Sequence, residues 1–216
     1  ERVWGYPYAD LVMGCHMANP TNVFRAMATG NPYSIKALIT LGNNTLMSYA
    51  NQHQILQGLM NQDLIVAHEI FMTPTAMLAD YVLPGDVFTE RNHVADTWSW
   101  SNRLMLSQKI VEPPEQASST FQFWTDLGRR MGLEEYFSWD TIEEMLDYRL
   151  SRSKRTFSDF EKQRYMELPP PKFRKYRKNG FATPSGKVEL YSTILADLDF
   201  DPFPYYREGP RPTKEY

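Results

Sequence analysis

The sequence predicts an α/β domain of the doubly wound, Rossmann-like kind, with a mostly parallel sheet and a helical, basic C-terminal extension. Residues 35–41 and 64–67 are short apolar runs bounded by polar turn residues, the length and setting of buried strands. Residues 54–60 carry a helical pattern between them, and a strand–loop–helix–strand order joins its strands in parallel. The third observation is a change of character in the second half, where helix-period apolar residues are joined by a stretch from 149 to 178 rich in lysine and arginine.

Taken in order, residues 20–30 read as a short helix opened by Thr21 and Asn22 and stopped by Gly30. The first strand runs into Gly42, Asn43, Asn44 and Thr45, and the second ends at His68 and Glu69. Residues 73–79 supply another short helix and residues 81–84 another short strand. Farther on, Phe121, Trp124 and Leu127, then Met145, Leu146 and Leu150, mark helices over 118–131 and 141–150. Residues 187–191 alternate as a strand does, and the proline-rich tail after Asp201 reads as a linker. The expected division is an α/β domain over 1–135, a helical and basic insertion over 136–180, and a segment over 181–216 leading to a further domain.

Composition narrows the function. A chain of 216 residues with 42% hydrophobic and 14% aromatic residues can bury a substantial core. A net charge of −3 gives no electrostatic reason to expect nucleic acid, and the basic–aromatic strip over 172–178 reads as a solvated surface insertion. No apolar run is long enough to cross a bilayer, so no direct membrane insertion is expected. The one cysteine, Cys15, can form neither an internal disulfide nor a metal centre alone. Its neighbour His16 reads as a local packing partner, and His53, His68 and His93 show no ligand-type spacing. No protein-only metal site is therefore expected. Both ends of the chain read as cut, so an excised piece of a larger protein is expected.

In an open parallel sheet, ligands bind beyond the carboxyl ends of the strands. Gly42 permits close backbone approach there, Asn43 and Asn44 offer amide donors and acceptors, and a helix start just beyond favours phosphate. Glu69 stands where nucleotide-binding α/β folds hydrogen-bond ribose hydroxyls. The G-x-G-x-x-G fingerprint is missing, which argues against an ordinary NAD or FAD site. By spacing alone, the same residues also make a plain turn and a helix cap.

Four segments in order resemble the molybdopterin oxidoreductases of the dimethyl sulfoxide reductase type. Residues 32–44 resemble the family's strand and pterin-nucleotide loop. Residues 65–84, with Thr73, Thr75 and Ala76 and an ending at Ala79, Asp80, Leu83 and Pro84, are the most specific match. Phe88 to Asn92 resembles the glutamate-plus-base step that follows, and residues 183–192 the approach to the final domain. The resemblance implies molybdenum or tungsten held by two molybdopterin guanine dinucleotides. It implies that Gly42, Asn43 and Asn44 form the nucleotide loop and that His68 and Glu69 meet the guanosine, with Glu69 replacing an aspartate. It also implies that Arg91 takes a lysine-or-arginine position near the nucleotide. A later family aspartate falls near Ser119, and Asp80 is expected to be structural, bracing the short helix.

The resemblance further implies an iron–sulfur cluster and the metal's own protein ligand in upstream regions outside this chain, so no catalytic or metal-ligating residue is expected here. The partners it implies are the rest of the same polypeptide and an iron–sulfur electron-transfer subunit. The whole enzyme would be an oxidoreductase of the anaerobic-respiration type, and this piece alone would be inactive. The rival reading is a metal-free electron-transfer scaffold related to the large iron–sulfur subunit of respiratory NADH dehydrogenase. Retention of Asn43, His68, Glu69 and Arg91 argues against it, because a site without a ligand has no reason to keep them.

Overall fold

A computed structural model describes residues 18–96, 102–170, 172–203, 205–206 and 208. Cys15, His16, both chain ends, Pro171 and much of the tail after Asp201 lie outside the described residues. The chain separates into two compact units, Glu1–Pro169 and Pro170–Tyr216.

The first helix, α1 (Pro20–Thr29), is capped by the Asn19 side chain, which accepts from the Thr21 amide, rather than by Thr21 or Asn22. Pro20 suits the first turn because its missing N–H is not needed there. Gly30 stops the helix at φ +72°, its amide donating to the Ala26 carbonyl at 2.8 Å. Strand β1 (Ala37–Leu41) leads through the short helix α2 (Thr45–Ser48) and α3 (Gln52–Met60) to β2 (Leu64–Glu69), and a 3-10 turn at Ala76–Leu78 precedes β3 (Tyr81–Pro84). The three strands pair in parallel in the order β1-β2-β3, from Ala37 opposite Leu64 to Glu69 opposite Pro84. Phe24 and Met27 of α1, Ile55 and Leu59 of α3, and Ile65 of β2 form the first core, with Leu38 packed against it.

The expected parallel sheet is formed, but it is half of the strand architecture, because the described residues also hold a second sheet. β4 (His93–Asp96), β5 (Arg103–Ser107) and β6 (Tyr165–Glu167) make a second, antiparallel sheet of equal strand number. Helix α4 (Thr120–Arg130) lies between β5 and α5 (Ile142–Leu150) in sequence, followed by α6 (Phe157–Gln163). Val94, Leu146, Leu150, Phe157 and Phe160 form a second core with Leu104, Leu106 and Met166. The segment expected as a helical, basic insertion over 136–180 therefore supplies a strand and four of the five buried residues of this core, all before Glu167. Three residues of strand are too few to show a period-2 pattern, so only the pairing with β5 reveals β6.

The second unit carries α7 (Tyr176–Asn179) and α8 (Thr193–Asp197). The strand expected over 187–191 is not formed. Alternation specifies a strand only where a neighbour completes the ladder. Here the Thr183 hydroxyl donates to the Lys187 carbonyl, the Ser185 amide donates to the Glu189 carboxylate, and Val188 and Leu190 are exposed.

Gly58 marks the crossing of α1 and α3. A Cβ there would lie 3.0 Å from the Met27 Cβ and 3.2 Å from the Phe24 carbonyl oxygen. Gly58→Val should therefore cost about 1–3 kcal/mol through overpacking. Gln57→Val, on the exposed side of the same helix, should cost only a few tenths, about 0.5 kcal/mol. Thermal midpoints of the two variants in the full-length protein check this, and equal losses would contradict the close crossing.

Candidate functional site at the carboxyl edge of the parallel sheet

The register brings three strand ends to one edge. Leu41 sits opposite His68 and Glu69 opposite Pro84, so Gly42, Glu69 and Gly85 leave the sheet as neighbours. Two backbone hydrogen bonds extend the pairing past the strands, from the Gly42 amide to the His68 carbonyl at 2.9 Å and from the Gly85 amide to the Glu69 carbonyl at 3.1 Å. Gly42 has φ +56°, a left-handed conformation that a side chain would strain, and it turns the chain into the asparagine loop. The expected residues Gly42, Asn43, Asn44, His68 and Glu69 are thus gathered at one edge, and Arg91 joins them through Asp86.

Their polar groups are not equally available. The Asn44 side-chain oxygen accepts from the Thr75 hydroxyl at 2.9 Å and the Thr75 amide at 3.4 Å, while the Thr75 hydroxyl oxygen accepts from the Leu46 amide at 2.9 Å. Thr75 is 1% exposed, so this network clamps the β1–α2 loop to the segment after β2. The Asn43 side-chain oxygen accepts from the Thr45 hydroxyl at 3.3 Å and from no other group among the described residues. His68 is 4% exposed; its Nε2 lies 2.8 Å from the Ser118 carbonyl, and its ring packs 5.7 Å from Phe123 of α4. Gly85 lets the chain pass over that ring, since a Cβ there would lie 3.1 Å from the His68 Cε1. His68 therefore ties the sheet edge to the start of α4. Glu69 is half-buried; one carboxylate oxygen accepts from the Ile70 amide at 2.9 Å, and the other has no partner among the described residues.

Asp80 is structural, but it braces a strand rather than the short helix. Its carboxylate accepts from the Ile65 amide at 2.7 Å, and its own amide donates to the Ile65 carbonyl. Ser119 caps α4, its hydroxyl oxygen accepting from the Gln122 amide at 3.1 Å. Ser118 runs beside the end of β3, donating to Pro84 and accepting from the Asp86 amide, which sets the start of α4 at the same edge.

Two residues escaped the sequence reading. Thr75 was visible only as part of a family motif, and Asp86 carried no local signal. The Asp86 side chain is 2% exposed and forms an ion pair with Arg91, which also donates to the Asp86 carbonyl at 3.2 Å. A 440 Å³ cleft opens beside this pair, lined by Asp86, Glu90, Arg91, Lys109, Ser119 and Gln122. Arg91 also borders a second cleft of 420 Å³, walled by Phe121, Trp124, Phe137 and Trp139 with Arg149. Burial holds the His93 imidazole below its ordinary pKa, and the Arg91 and Arg149 guanidinium groups push it the same way. Among the described residues, no three His, Cys, Asp or Glu side chains gather as metal ligands.

Arg91→Met should leave the Asp86 carboxylate buried without its counter-charge, a loss of about 3–5 kcal/mol. Adding Asp86→Asn should recover much of it, because the uncharged amide costs far less to bury unpaired. Urea unfolding of the full-length single and double variants tests this, and a double variant no more stable than Arg91→Met would show that the pair does not act as drawn.

Comparison with known proteins identifies the family of the chain. The family model described as molybdopterin oxidoreductase matches residues 9–130. Acetylene hydratase of Syntrophotalea acetylenica is 47% identical over the whole chain, which spans 30% of that relative. A thiosulfate reductase molybdopterin-containing subunit of Salmonella typhimurium is 27% identical over 82% of the chain, which spans 27% of it. Dimethyl sulfoxide reductase of Escherichia coli is 27% identical over 81%, with 25% of its own length spanned. The solved structure of acetylene hydratase from Pelobacter acetylenicus superposes with a TM-score of 0.82 at 48% identity, over 96% of this chain and 28% of that one. The chain thus spans under a third of these relatives, and it belongs to the molybdopterin oxidoreductase family.

Proposed function

We propose that this chain holds a guanine-dinucleotide arm of a molybdenum or tungsten bis(molybdopterin guanine dinucleotide) cofactor at the carboxyl edge of its parallel sheet. The observation that carries the reading is the convergence of Gly42, Asn43 and Glu69 on that edge, with groups still free to bind. The chemistry of the donor set fits the group. A guanine presents N–H donors that suit the free oxygen of Glu69, and the Asn43 amide nitrogen can donate to a ribose or phosphate oxygen. Arg91 keeps guanidinium N–H groups beyond those facing Asp86, beside the 440 Å³ cleft. His68 Nε2 and Asn44 Oδ1 already bind Ser118 and Thr75, so these two atoms hold the edge in position.

When bound, the cofactor supplies a metal centre whose charge and geometry serve the reaction, while these residues anchor its far end. The metal's ligand and the iron–sulfur cluster belong to other parts of the polypeptide in this reading. So do the further strands and helices of a doubly wound sheet, because the Leu64, Val66 and Tyr81 side of the parallel sheet is half-buried or exposed, and parallel sheets are stable with both faces covered.

The whole enzyme's reaction is read from the similarity to acetylene hydratase, at 47% identity against 27% for the two reductases. We propose addition of water to an alkyne, with no net electron transfer to substrate. The full-length enzyme should release acetaldehyde from acetylene and show no turnover of thiosulfate or dimethyl sulfoxide with reduced viologen. Reductase turnover without acetaldehyde would reverse the assignment.

The cofactor reading has its own test. Glu69→Ala should lose a charge-assisted hydrogen bond worth about 1.5–3 kcal/mol, which is roughly ten- to a hundredfold weaker retention of the dinucleotide arm. Glu69→Gln should be milder, since its uncharged head keeps one acceptor. Cofactor content per folded full-length enzyme is the measurement. Normal loading in the Glu69→Ala protein would restrict Glu69 to its hydrogen bond with the Ile70 amide.

A further inference from the structure

Past the ends of β1 and β2, the two loops that carry the proposed ligand groups meet at one side chain. Among the described residues, the hydrogen bonds joining these loops beyond the Gly42–His68 pairing all run through Thr75. Its hydroxyl donates to the Asn44 side-chain oxygen at 2.9 Å and accepts from the Leu46 amide at 2.9 Å. Its own amide donates to the same Asn44 oxygen at 3.4 Å. Thr75 is buried, and its turn is held locally: the Thr73 hydroxyl oxygen accepts from the Ala76 amide at 3.1 Å, and the Met77 amide donates to the Thr73 carbonyl. Thr75, Asn44 and Leu46 are buried or half-buried within this chain, so the clamp does not depend on what covers its outer faces.

A hydroxyl can donate and accept at once, whereas a backbone amide can only donate. Two donors from Thr75 therefore require an oxygen at the facing end of the Asn44 amide. That selects one of the two flips of a planar group whose ends differ only in their hydrogen bonding. The Asn44 nitrogen, with both its N–H donors, is turned away from Thr75, and among the described residues none accepts from it. Asn43 has its oxygen on the Thr45 hydroxyl, so both asparagines keep nitrogen donors beside Gly42, where a φ of +56° lets the backbone approach a ligand closely. Donors of this kind suit an anionic oxygen, which the pyrophosphate of a dinucleotide supplies. An Asn44 amide released from Thr75 can present its oxygen in their place, and an oxygen repels a phosphate.

We propose that Thr75 is a positioning residue for the dinucleotide arm, holding the Asn44 amide in the flip that lets its nitrogen donate to a phosphate oxygen. This role rests on the proposed binding of the arm at this edge. The test is the rate at which the full-length enzyme releases its cofactor, followed as metal and guanine nucleotide lost per folded protein, with the thermal midpoint measured alongside. Thr75→Val keeps the shape and removes the hydroxyl, and it should release the arm about tenfold faster, the scale of one hydrogen bond to a charged group. Thr75→Ser keeps the hydroxyl and should retain the arm as the wild type does. Asn44→Asp still offers an oxygen to both Thr75 donors but brings no N–H, so it too should release the arm about tenfold faster. Asn44→Asp carries the test alone if Thr75→Val does not fold. A lower thermal midpoint with unchanged release in Thr75→Val would make Thr75 structural only and overturn the proposal. Normal release from Asn44→Asp, or fast release from Thr75→Ser, would overturn it as well. Glu69→Ala separates this role from the reading beneath it. Fast release from Glu69→Ala with wild-type release from Thr75→Val and Asn44→Asp overturns the positioning role alone. Wild-type release from all three overturns the binding of the arm at this edge, and the positioning role with it.

Discussion

Parallel strands cannot be joined by a tight turn, so each must be carried back by a crossover before it can pair. Once β1, β2 and β3 pair in this way, their carboxyl ends emerge on one side, and the chain must turn there three times. The site is a consequence of that pairing. Gly42, Glu69 and Gly85 become neighbours because Leu41 pairs with His68 and Glu69 with Pro84. The pairing is itself held at both ends of β2, by Asp80 on the Ile65 amide and by His68 on Ser118.

The polar groups at this edge divide according to burial. A buried donor or acceptor without a partner is costly, so deeply placed groups bind within the protein. Thr75, His68 and Asp86 all follow that rule, with Asn44, Ser118 and Arg91 as their partners. Groups nearer the surface can leave part of their capacity open, because water satisfies them until a ligand arrives. Glu69 is of this kind, with one oxygen on the Ile70 amide and the other unengaged among the described residues. The buried set positions the edge and the half-buried set faces outward from it, so binding does not have to break the contacts that hold the loops.

The two cores of the first unit are built differently. The first comes from nearby sequence, with α1, α3 and β2 lying within residues 20–69. The second joins Val94 to Phe157 and Phe160 across a long separation and depends on β6 returning to β5. Asn92 links the halves, donating to Glu143 of α5 and accepting from the Lys109 amide. The ion pair of Asp86 and Arg91 lies where the chain leaves the parallel sheet for the antiparallel one, and both clefts open beside it.

The sequence by itself determined the parallel α/β half. Apolar runs of strand length, separated by a helix-period segment and ended by Gly42 and Glu69, admit few other arrangements, and the crossover follows from them. It also determined which residues stand at the strand ends, because those positions are local. Tertiary structure decided what each residue there does. His68 and Glu69 are adjacent in sequence, but successive residues of a strand face opposite sides. One is turned inward to Ser118 and Phe123, and the other is left at the rim with one oxygen unengaged among the described residues. Asp86 was silent in the sequence because burial and a partner five residues away give it its role. The antiparallel sheet was hidden because β6 is defined by its neighbour, whereas residues 187–191 alternate like a strand and, having none, form no strand.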